Sequence, residues 1–333
     1  MSERLPIAEI ARMYYEHGRN QEDIAKEYGI SRSTISRVLK RARDLGIVRI
    51  SIVDPNSICA QVGLELERRF GLKRAVVVEG DPDSEDLTRR DIGIRSAELL
   101  TRMVRGNQII GTCWGSTIYE LVRSLAHKPV EHVEVVQFVG TVGSSLSNTH
   151  ADELARMIAQ AFDGEWHMLP APAVVQTGDA LQTFLNEPQI RRVLELGKRS
   201  DIALVGVGVC SDDATLARAG YITAAEIREL RSIGAVGEIG CRFFDISGRP
   251  CKSDVDNRTI SITLADLKSI PVKLGVTAGL HKVDAILGAL AGGYIDILVT
   301  DLITARALIS HSEAYERSEQ PEAVTTAGDS RRR

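Results

Sequence analysis

Six short runs of consecutive aliphatic residues between positions 73 and 309 constrain the fold more than any other feature of this chain. Each run has the length of a strand and is followed by a glycine or polar loop and then by a helical pattern. The runs are "RAVVVEG", "QIIGTCWG", "VEVVQFVG", "DIALVGVG", "VKLGVTAG" and "DILVTD". Continuous Val/Ile/Leu runs are typical of parallel strands that are covered on both faces. They predict a doubly wound, Rossmann-like α/β domain over residues 73–311.

The residues before this domain show helical periodicity instead. One helix is predicted from about Leu5 to His17, and a second from Gln21 to Tyr28. Gly29 then breaks the pattern, and Ser31 stands where a third helix needs an N-cap. The third helix has a single apolar stripe, formed by Ile35, Val38, Leu39 and Ala42.

The side of the third helix opposite its apolar stripe carries basic and hydroxyl side chains. Positions 31 to 50 hold six basic residues and one acid, Asp44, although the 333-residue chain has a net charge of -4. A basic face on an otherwise acidic protein points to nucleic acid. Two helices joined by a tight glycine turn, the second of them basic, are typical of a helix-turn-helix whose second helix enters the major groove of DNA. The candidate DNA-binding residues are Gln21, Ser31, Arg32, Ser33, Thr34, Ser36, Arg37, Lys40 and Arg41.

A helical hairpin that contacts protein and carries its bases as a solvated face is the alternative interpretation. The turn glycine, the cap and the base-only face together favour DNA docking. The segment "GIVRISIVDP" predicts a strand after the third helix, as in a winged helix-turn-helix, so the DNA-binding domain is expected to span residues 1–54. Because one recognition helix covers only a half-site, a two-fold operator requires at least a dimer of this chain.

Residues 55–72 are predicted to form a linker helix, and residues 312–333 a disordered tail. The apolar residues of the linker, from Ile58 to Phe70, lie near one line of a helix. This stripe has two interpretations: it pairs with its copy in a dimer, or it docks on the larger domain of its own chain. The tail contains few apolar residues.

The composition also excludes several classes of protein. No run of about 18 apolar residues is present and the N-terminus lacks the layout of a signal peptide, so a cytoplasmic protein with no membrane association is expected. The five cysteines form no C-x-x-C pair, and the histidines lack the spacing of metal ligands. Neither a metal site nor a cofactor is therefore predicted.

The ligand site of a doubly wound domain lies beyond the carboxyl ends of its strands. Two glycine-rich loops, Gly111 to Thr117 and Val139 to His150, follow predicted strands and either offer backbone N–H groups to an anion or are plain tight turns. Lys282 is predicted in the first turn of a helix, where the helix dipole opposes a cation unless an anion binds; an exposed lysine is the alternative. Glu238 lies among glycines, where its carboxylate is suited either to sugar hydroxyls or to a structural ion pair.

The chain resembles the SorC family of bacterial transcriptional regulators. The similarity covers "YYEHGRNQEDIAKEYGISRSTISRVLKRARDLGIVRI" and continues through "GTCWGSTIYEL", "VVQFVGTVG", "GAVGEIGCRFFDISGRP" and "AGLHKVDAILGALAGGYIDILVTDL". It implies a sugar-binding domain of the glucosamine-6-phosphate deaminase and ribose-5-phosphate isomerase type, used as a sensor in a protein that is commonly a tetramer.

The resemblance also implies an effector site. The loop Gly140, Thr141, Val142 would hold the phosphate or hydroxyl end of the effector, and Glu238, Gly279 and Lys282 would hold the rest. Family members usually carry aspartate where Glu238 stands and glycine where Leu280 stands, which predicts a smaller or differently shaped ligand in this chain. No lysine stands in the Gly140 loop, so a Schiff base is not expected there.

The sequence therefore predicts a DNA-binding regulator of a carbohydrate catabolic operon, controlled by a sugar, sugar phosphate or polyol. The alternative is an isomerase or deaminase that carries a DNA-binding module, for which His150 and Asp152 are candidate acid/base groups. The segment "GVGVCSDDATL" lacks the histidine-containing loop typical of the deaminases, which favours the regulator.

Overall fold

A computed structural model describes residues 6–45, 47–48, 57–141, 151–212 and 214–319 of the chain. The chain divides into two compact units, with the division between Pro55 and Asn56. Each unit is considered by itself below.

The described part of the first unit consists of three helices: α1 (Ile7–Tyr15), α2 (Gln21–Glu27) and α3 (Arg32–Asp44). Asn20 caps α2 through hydrogen bonds from two backbone N–H groups, and Ser31 caps α3 by accepting from Thr34 N at 3.1 Å. Gly29 adopts φ +62°, a left-handed conformation that suits glycine and permits the tight turn between them. Residues from all three helices form one small core, which includes Ile10, Ala11, Met13, Ile24, Ala25, Ile35, Val38, Leu39 and Ala42.

Both N-terminal helices are shorter than the periodicity predicts. The helix α1 ends at Tyr15, and α2 ends at Glu27 with Tyr28 as its C-cap. The left-handed backbone of Gly18 and of Gly29 turns the chain away after each helix. Leu5 and the predicted strand after Ile47–Val48 lie outside the described residues, so the winged form of the unit stays a prediction.

The second unit contains the other helices of the described chain. They are α4 (Ile58–Phe70), α5 (Glu85–Met103), α6 (Ser116–Arg123), α7 (Ala151–Phe162), α8 (Gly178–Asn186), α9 (Pro188–Lys198), α10 (Thr215–Arg218), α11 (Ala224–Ser232), α12 (Leu264–Ser269), α13 (Val283–Ala291) and α14 (Leu302–Glu319). Two short 3-10 helices span Asp256–Arg258 and Leu280–Lys282.

The strands of this unit form two sheets. The strands are β1 (Arg74–Val78), β2 (Ile109–Thr112), β3 (Glu134–Gln137), β4 (Glu165–His167), β5 (Ile202–Val205), β6 (Gly208–Val209), β7 (Ala235–Ile239), β8 (Arg242–Asp245), β9 (Val272–Val276) and β10 (Ile297–Asp301). Seven of them pair in parallel in the order β1-β10-β9-β5-β2-β3-β4, and β6-β7-β8 form an antiparallel sheet. The prediction of a doubly wound α/β domain is confirmed.

All six aliphatic runs of the sequence are strands of the parallel sheet. The residues of β2, β5 and β10 are buried throughout, as expected for strands with helices on both faces. The edge strand β4 was not predicted, because its three residues "EWH" are short and polar and two of them are exposed. Its pairing with β3 depends on neighbours rather than on its own sequence.

The linker helix α4 docks on the larger domain of its own chain, as one of the two interpretations of its apolar stripe predicts. It contacts β1 and α14, Leu66 is fully buried, and Glu67 Oε1 accepts a hydrogen bond from Ala75 N at 2.9 Å. The helix α14 continues to Glu319, so residues 312–319 of the predicted tail are helical, because the helix formers "SEAYERSE" extend it. Residues 320–333 lie outside the described chain.

Candidate functional site

The polar face of α3 is presented to solvent by the core beneath it. Ile35, Val38, Leu39 and Ala42 are buried along one side of α3, so the opposite side of the helix faces outward. Of the predicted DNA-binding residues, Gln21 and Thr34 are half-buried, and the exposed ones are Ser31, Arg32, Ser33, Ser36, Arg37, Lys40 and Arg41. Across the described chain, none of the five basic side chains of α3 forms an ion pair, which leaves their charge for a partner.

The guanidinium of Arg37 is positioned over the N-terminal half of α3. Its Nε donates to the Ser33 carbonyl oxygen and its Nη2 to Thr34 Oγ1, both at 3.5 Å. Contacts of that length are weak, so they orient the side chain but leave its N–H groups able to bind a partner. At the start of the helix, Ser31 Oγ lies 2.8 Å from Ser33 Oγ and 2.9 Å from Thr34 Oγ1. This arrangement is suited to a DNA backbone and an adjacent guanine edge.

A cavity of about 620 Å³ lies in the second unit, where β1, β9 and β10 end. The β1–α5 loop contributes Asp81, β7 contributes Glu238, and the segment after β9 contributes Gly279 and Lys282. A recess of about 90 Å³ adjoins it and is lined by Trp114, Ser116 and Thr117 as well as by Glu238 and Lys282. The location agrees with the rule that ligands of such folds bind at the carboxyl ends of the strands.

Glu238 and Lys282 are the charged groups that the cavity and the recess share. Glu238 Oε2 accepts a hydrogen bond from Cys241 N at 2.8 Å. Lys282 is the residue that caps α13, and its Nζ donates to the Val207 carbonyl oxygen at 3.1 Å. Lys282 is therefore half-buried at a helix N-terminus instead of pointing to solvent, the position that the sequence predicted for an anion-binding lysine.

Burial favours the neutral forms of the Glu238 carboxyl and the Lys282 amine by shifting their pKa values in opposite directions. Loss of solvent raises the pKa of the Glu238 carboxyl, against the opposing effects of the Cys241 N–H and the Lys282 charge. Loss of solvent lowers the pKa of the Lys282 amine, and the nearby Arg89 charge lowers it further, while Glu238 raises it. A carboxylate and an amine that each lack full hydration gain from a ligand that supplies hydrogen bonds to them.

A network of hydrogen bonds at the wall of the cavity fixes the position of Gly279. Its N–H donates to Thr304 Oγ1 at 2.8 Å, and that hydroxyl donates to Asp301 Oδ2 at 2.5 Å. Asp301 Oδ1 also accepts from Thr304 N at 2.8 Å, so the end of β10 and the start of α14 are joined to the segment after β9. Gly279 has φ +115°, a conformation that side chains rarely adopt.

The structure does not bring the Gly140 loop to this cavity within the described residues. Gly140 N donates to the Ile260 carbonyl oxygen and Thr141 N to the Ala171 carbonyl oxygen, and a β-carbon at position 140 would overlap the Pro172 carbonyl. These two residues are thus packed against a neighbouring segment. Val142, the third predicted member of the loop, and His150 lie outside the described chain, and the role of the loop stays a prediction.

The cavity is also lined by residues that were not predicted from the sequence, among them Asp81, Arg89 and Thr304. Asp81 and Thr304 follow the carboxyl ends of β1 and β10, so the rule on strand ends would have found them had it been applied to every strand. Arg242, noted with Glu238 in one motif, serves the fold instead: its guanidinium donates to Asp256 Oδ1 at 2.7 Å and to backbone carbonyls.

The described residues offer neither a metal site nor a membrane-spanning helix. They contain no group of His, Cys, Asp and Glu side chains that could hold a metal ion. No helix within the described ranges is long and apolar enough to cross a membrane.

The fold and the two sites define a DNA-binding regulator with a ligand-sensing α/β domain, and comparison with known proteins gives the family. Residues 54–310 match the family described as "Putative sugar-binding domain", and residues 8–44 match "Sigma-70, region 4". The chain is 38% identical over 303 residues to the deoxyribonucleoside regulator of Bacillus subtilis, and the match covers 91% of this chain and 96% of that protein. It is 32% identical over 305 residues to the sorbitol operon regulator of Klebsiella pneumoniae, covering 91% and 97% of the two chains.

The crystal structure of the full-length sorbitol operon regulator SorC from Klebsiella pneumoniae is similar along nearly the whole chain. Its TM-score is 0.81 at 32% identity, and the match covers 93% of this chain and 100% of that one. This chain belongs to the SorC family of transcriptional regulators. It is a transcriptional regulator with a helix-turn-helix and a sugar-binding effector domain, as predicted. These relatives are regulators and not enzymes, which removes the support for the isomerase or deaminase alternative.

Proposed function

We propose that two copies of this chain bind a two-fold operator through α3, and that a carbohydrate bound beside Glu238 and Lys282 controls the affinity for that operator. The Bacillus subtilis and Klebsiella pneumoniae relatives are named for deoxyribonucleosides and for the sorbitol operon. By analogy, the regulated genes encode carbohydrate catabolism, and the effector is a sugar, sugar phosphate or polyol. The protein acts in the cytoplasm as a dimer or tetramer.

The DNA side of the proposal rests on the charge and shape of α3. Its bases project from one face without counter-ions in the described chain, and the hydroxyls at its N-terminus allow the backbone to approach phosphate closely. Arg37 is the residue that we expect to reach a base edge, because its exposed guanidinium lies over the N-terminal half of α3, the part of a recognition helix that contacts bases.

The single observation that carries the effector side is the pairing of a partly desolvated carboxylate with a partly desolvated amine in one cavity. The Glu238 carboxylate accepts hydrogen bonds from adjacent hydroxyls, while Lys282 donates to a hydroxyl or an anionic group. The helix α6 adds backbone N–H groups, because Gly115 provides no side chain to cap it and Ser116 and Thr117 line the recess.

The decisive experiment measures operator binding with and without effector in a matched pair of variants. Lys282→Met keeps the aliphatic stem but removes the charge, whereas Lys252→Met removes an exposed lysine elsewhere in the same domain. Fluorescence anisotropy on DNA from the gene's own promoter region should show equal apo affinity for both variants and the wild type. A carbohydrate that shifts the wild-type and Lys252→Met curves should leave Lys282→Met unmoved. A normal response of Lys282→Met would refute the site.

A further inference from the structure

Two large aliphatic side chains stand exposed at the wall of the effector cavity. Leu280 is 60% exposed and Ile303 is 46% exposed, and both line the cavity. They are the sequence neighbours of Gly279 and Thr304, whose hydrogen bond of 2.8 Å joins the two segments. That bond therefore holds Leu280 and Ile303 on adjacent segments of one wall.

The aliphatic pair is set apart from the recess that adjoins this cavity. The recess at its inner end includes Glu238 and Lys282 but neither Leu280 nor Ile303. The aliphatic pair belongs only to the larger, outer part. A ligand that contacts all four residues thus needs a hydroxyl-rich end and an apolar end.

The size of the cavity supports a ligand larger than a simple sugar. Its volume of about 620 Å³ falls within the ~300–1,000 Å³ typical of sites for drug-sized ligands. A monosaccharide held at Glu238 and Lys282 would occupy the inner end and leave the aliphatic pair in water. Covering those two side chains with an apolar group removes hydrated apolar surface and adds affinity.

We propose that the effector is a glycoside, with its sugar at Glu238 and Lys282 and an apolar or aromatic aglycone against Leu280 and Ile303. This inference rests on the proposed function and names the class of ligand within it. It also assigns Leu280, which is exposed at the cavity wall, as a residue that determines specificity.

The test compares matched pairs of probes by isothermal titration calorimetry on the full-length protein. Each pair contains a sugar and the same sugar with an aromatic aglycone: D-ribose and adenosine, 2-deoxy-D-ribose and 2'-deoxyadenosine, D-glucose and phenyl β-D-glucopyranoside. Ribose 5-phosphate and glucose 6-phosphate form a separate arm. In at least one pair the aromatic member should bind about tenfold more tightly, or better, than its parent sugar.

A double variant then tests whether the aglycone contacts Leu280 and Ile303. Leu280→Ala with Ile303→Ala should reduce the affinity for the aromatic member to that of the parent sugar, and should leave the parent sugar's own affinity unchanged. Leu87→Ala, at a 48% exposed leucine that does not line the cavity, is the control. Because all three side chains are exposed, circular dichroism should show an unchanged fold for both variants.

The outcomes separate this inference from the proposed function. If a free sugar or a sugar phosphate binds as tightly as any aromatic glycoside and Lys282→Met abolishes that binding, the glycoside inference fails and the proposed function stands. An aromatic preference that survives the double variant also overturns the inference. If no probe of any arm binds, both fail.

Discussion

Gly208 of β6 pairs with Glu238 of β7 so closely that a β-carbon at position 208 would overlap Glu238 Oε1. The glycine is thus the reason that the carboxylate can lie flat across the small antiparallel sheet and reach the Cys241 N–H. The absence of a side chain at Gly208 thus sets the orientation of Glu238, the acid of the proposed effector site.

Gly208→Ala should therefore displace Glu238 and weaken the effector response. The added methyl group is expected to cost about 1–3 kcal/mol of stability as overpacking, since the side chain and its hydrogen bond must move. Urea unfolding and effector titration would measure both effects. Gly178→Ala is the control, because the nearest atom to its β-carbon is 3.9 Å away and its helix α8 lies outside the cavity wall. Equal effector affinity of the two variants would contradict the prediction.

Glu238→Gln should stabilise the protein in a pH-dependent manner. Burial raises the pKa of Glu238 above its ordinary value of 4.5 in the folded state, so the unfolded state loses its proton first as the pH rises. Folding stability is lost across the window between the unfolded and folded pKa values, and the neutral glutamine avoids that loss. The variant should match the wild type in acid, exceed it increasingly as the pH rises through that window, and keep a constant advantage above it, while responding less to effector. Urea unfolding from about pH 4 to pH 8 would test this. A stability difference that is the same at every pH would exclude it.

Thr304→Val should destabilise the cavity wall. The substitution keeps the shape but leaves the Gly279 N–H without its acceptor and removes the hydroxyl donor to Asp301. The expected cost is about 1–3 kcal/mol, the penalty for a polar group left unpaired on folding. Thr300→Val in β10 is a matched control, since the Thr300 hydroxyl is buried without a partner in the described chain and its loss should be neutral or stabilising. Chemical unfolding that ranks the two variants in the opposite order would count against the network.

Arg37→Ala should weaken specific operator binding by about 1–3 kcal/mol if the guanidinium reads a base edge, and by less if it meets only phosphate. Arg12→Ala in α1 provides the comparison, because Arg12 lies 3.5 Å from Glu16 and is already paired. Anisotropy titrations at several salt concentrations separate the two roles: loss of a phosphate contact reduces the salt dependence on every sequence, whereas loss of a base contact acts on the operator alone. Affinity unchanged from that of the wild type would remove Arg37 from the interface.

Much of the fold was predictable because its signals are local. The caps Asn20 and Ser31 and the glycines at 18 and 29 delimit the N-terminal helices through hydrogen bonds and backbone conformations within a few residues. The aliphatic runs identify the parallel strands because burial on both faces demands apolar residues at every position. Lys282 was recognisable because a cation at a helix N-terminus is locally unfavourable, and Glu238 because it stands among glycines in a motif of its own.

The sequence by itself thus determined most of the elements and the class of the fold, and it predicted a role for two charged residues that line one cavity. Only the tertiary structure decided which strand ends meet. The order β1-β10-β9-β5-β2-β3-β4 does not follow the chain, so the loops after β1, β9 and β10 share one cavity, while Gly140 after β3 packs against Ala171 and Ile260. Strand order arises from pairing between residues far apart in the chain, and hydrophobic periodicity does not indicate which strands will pair.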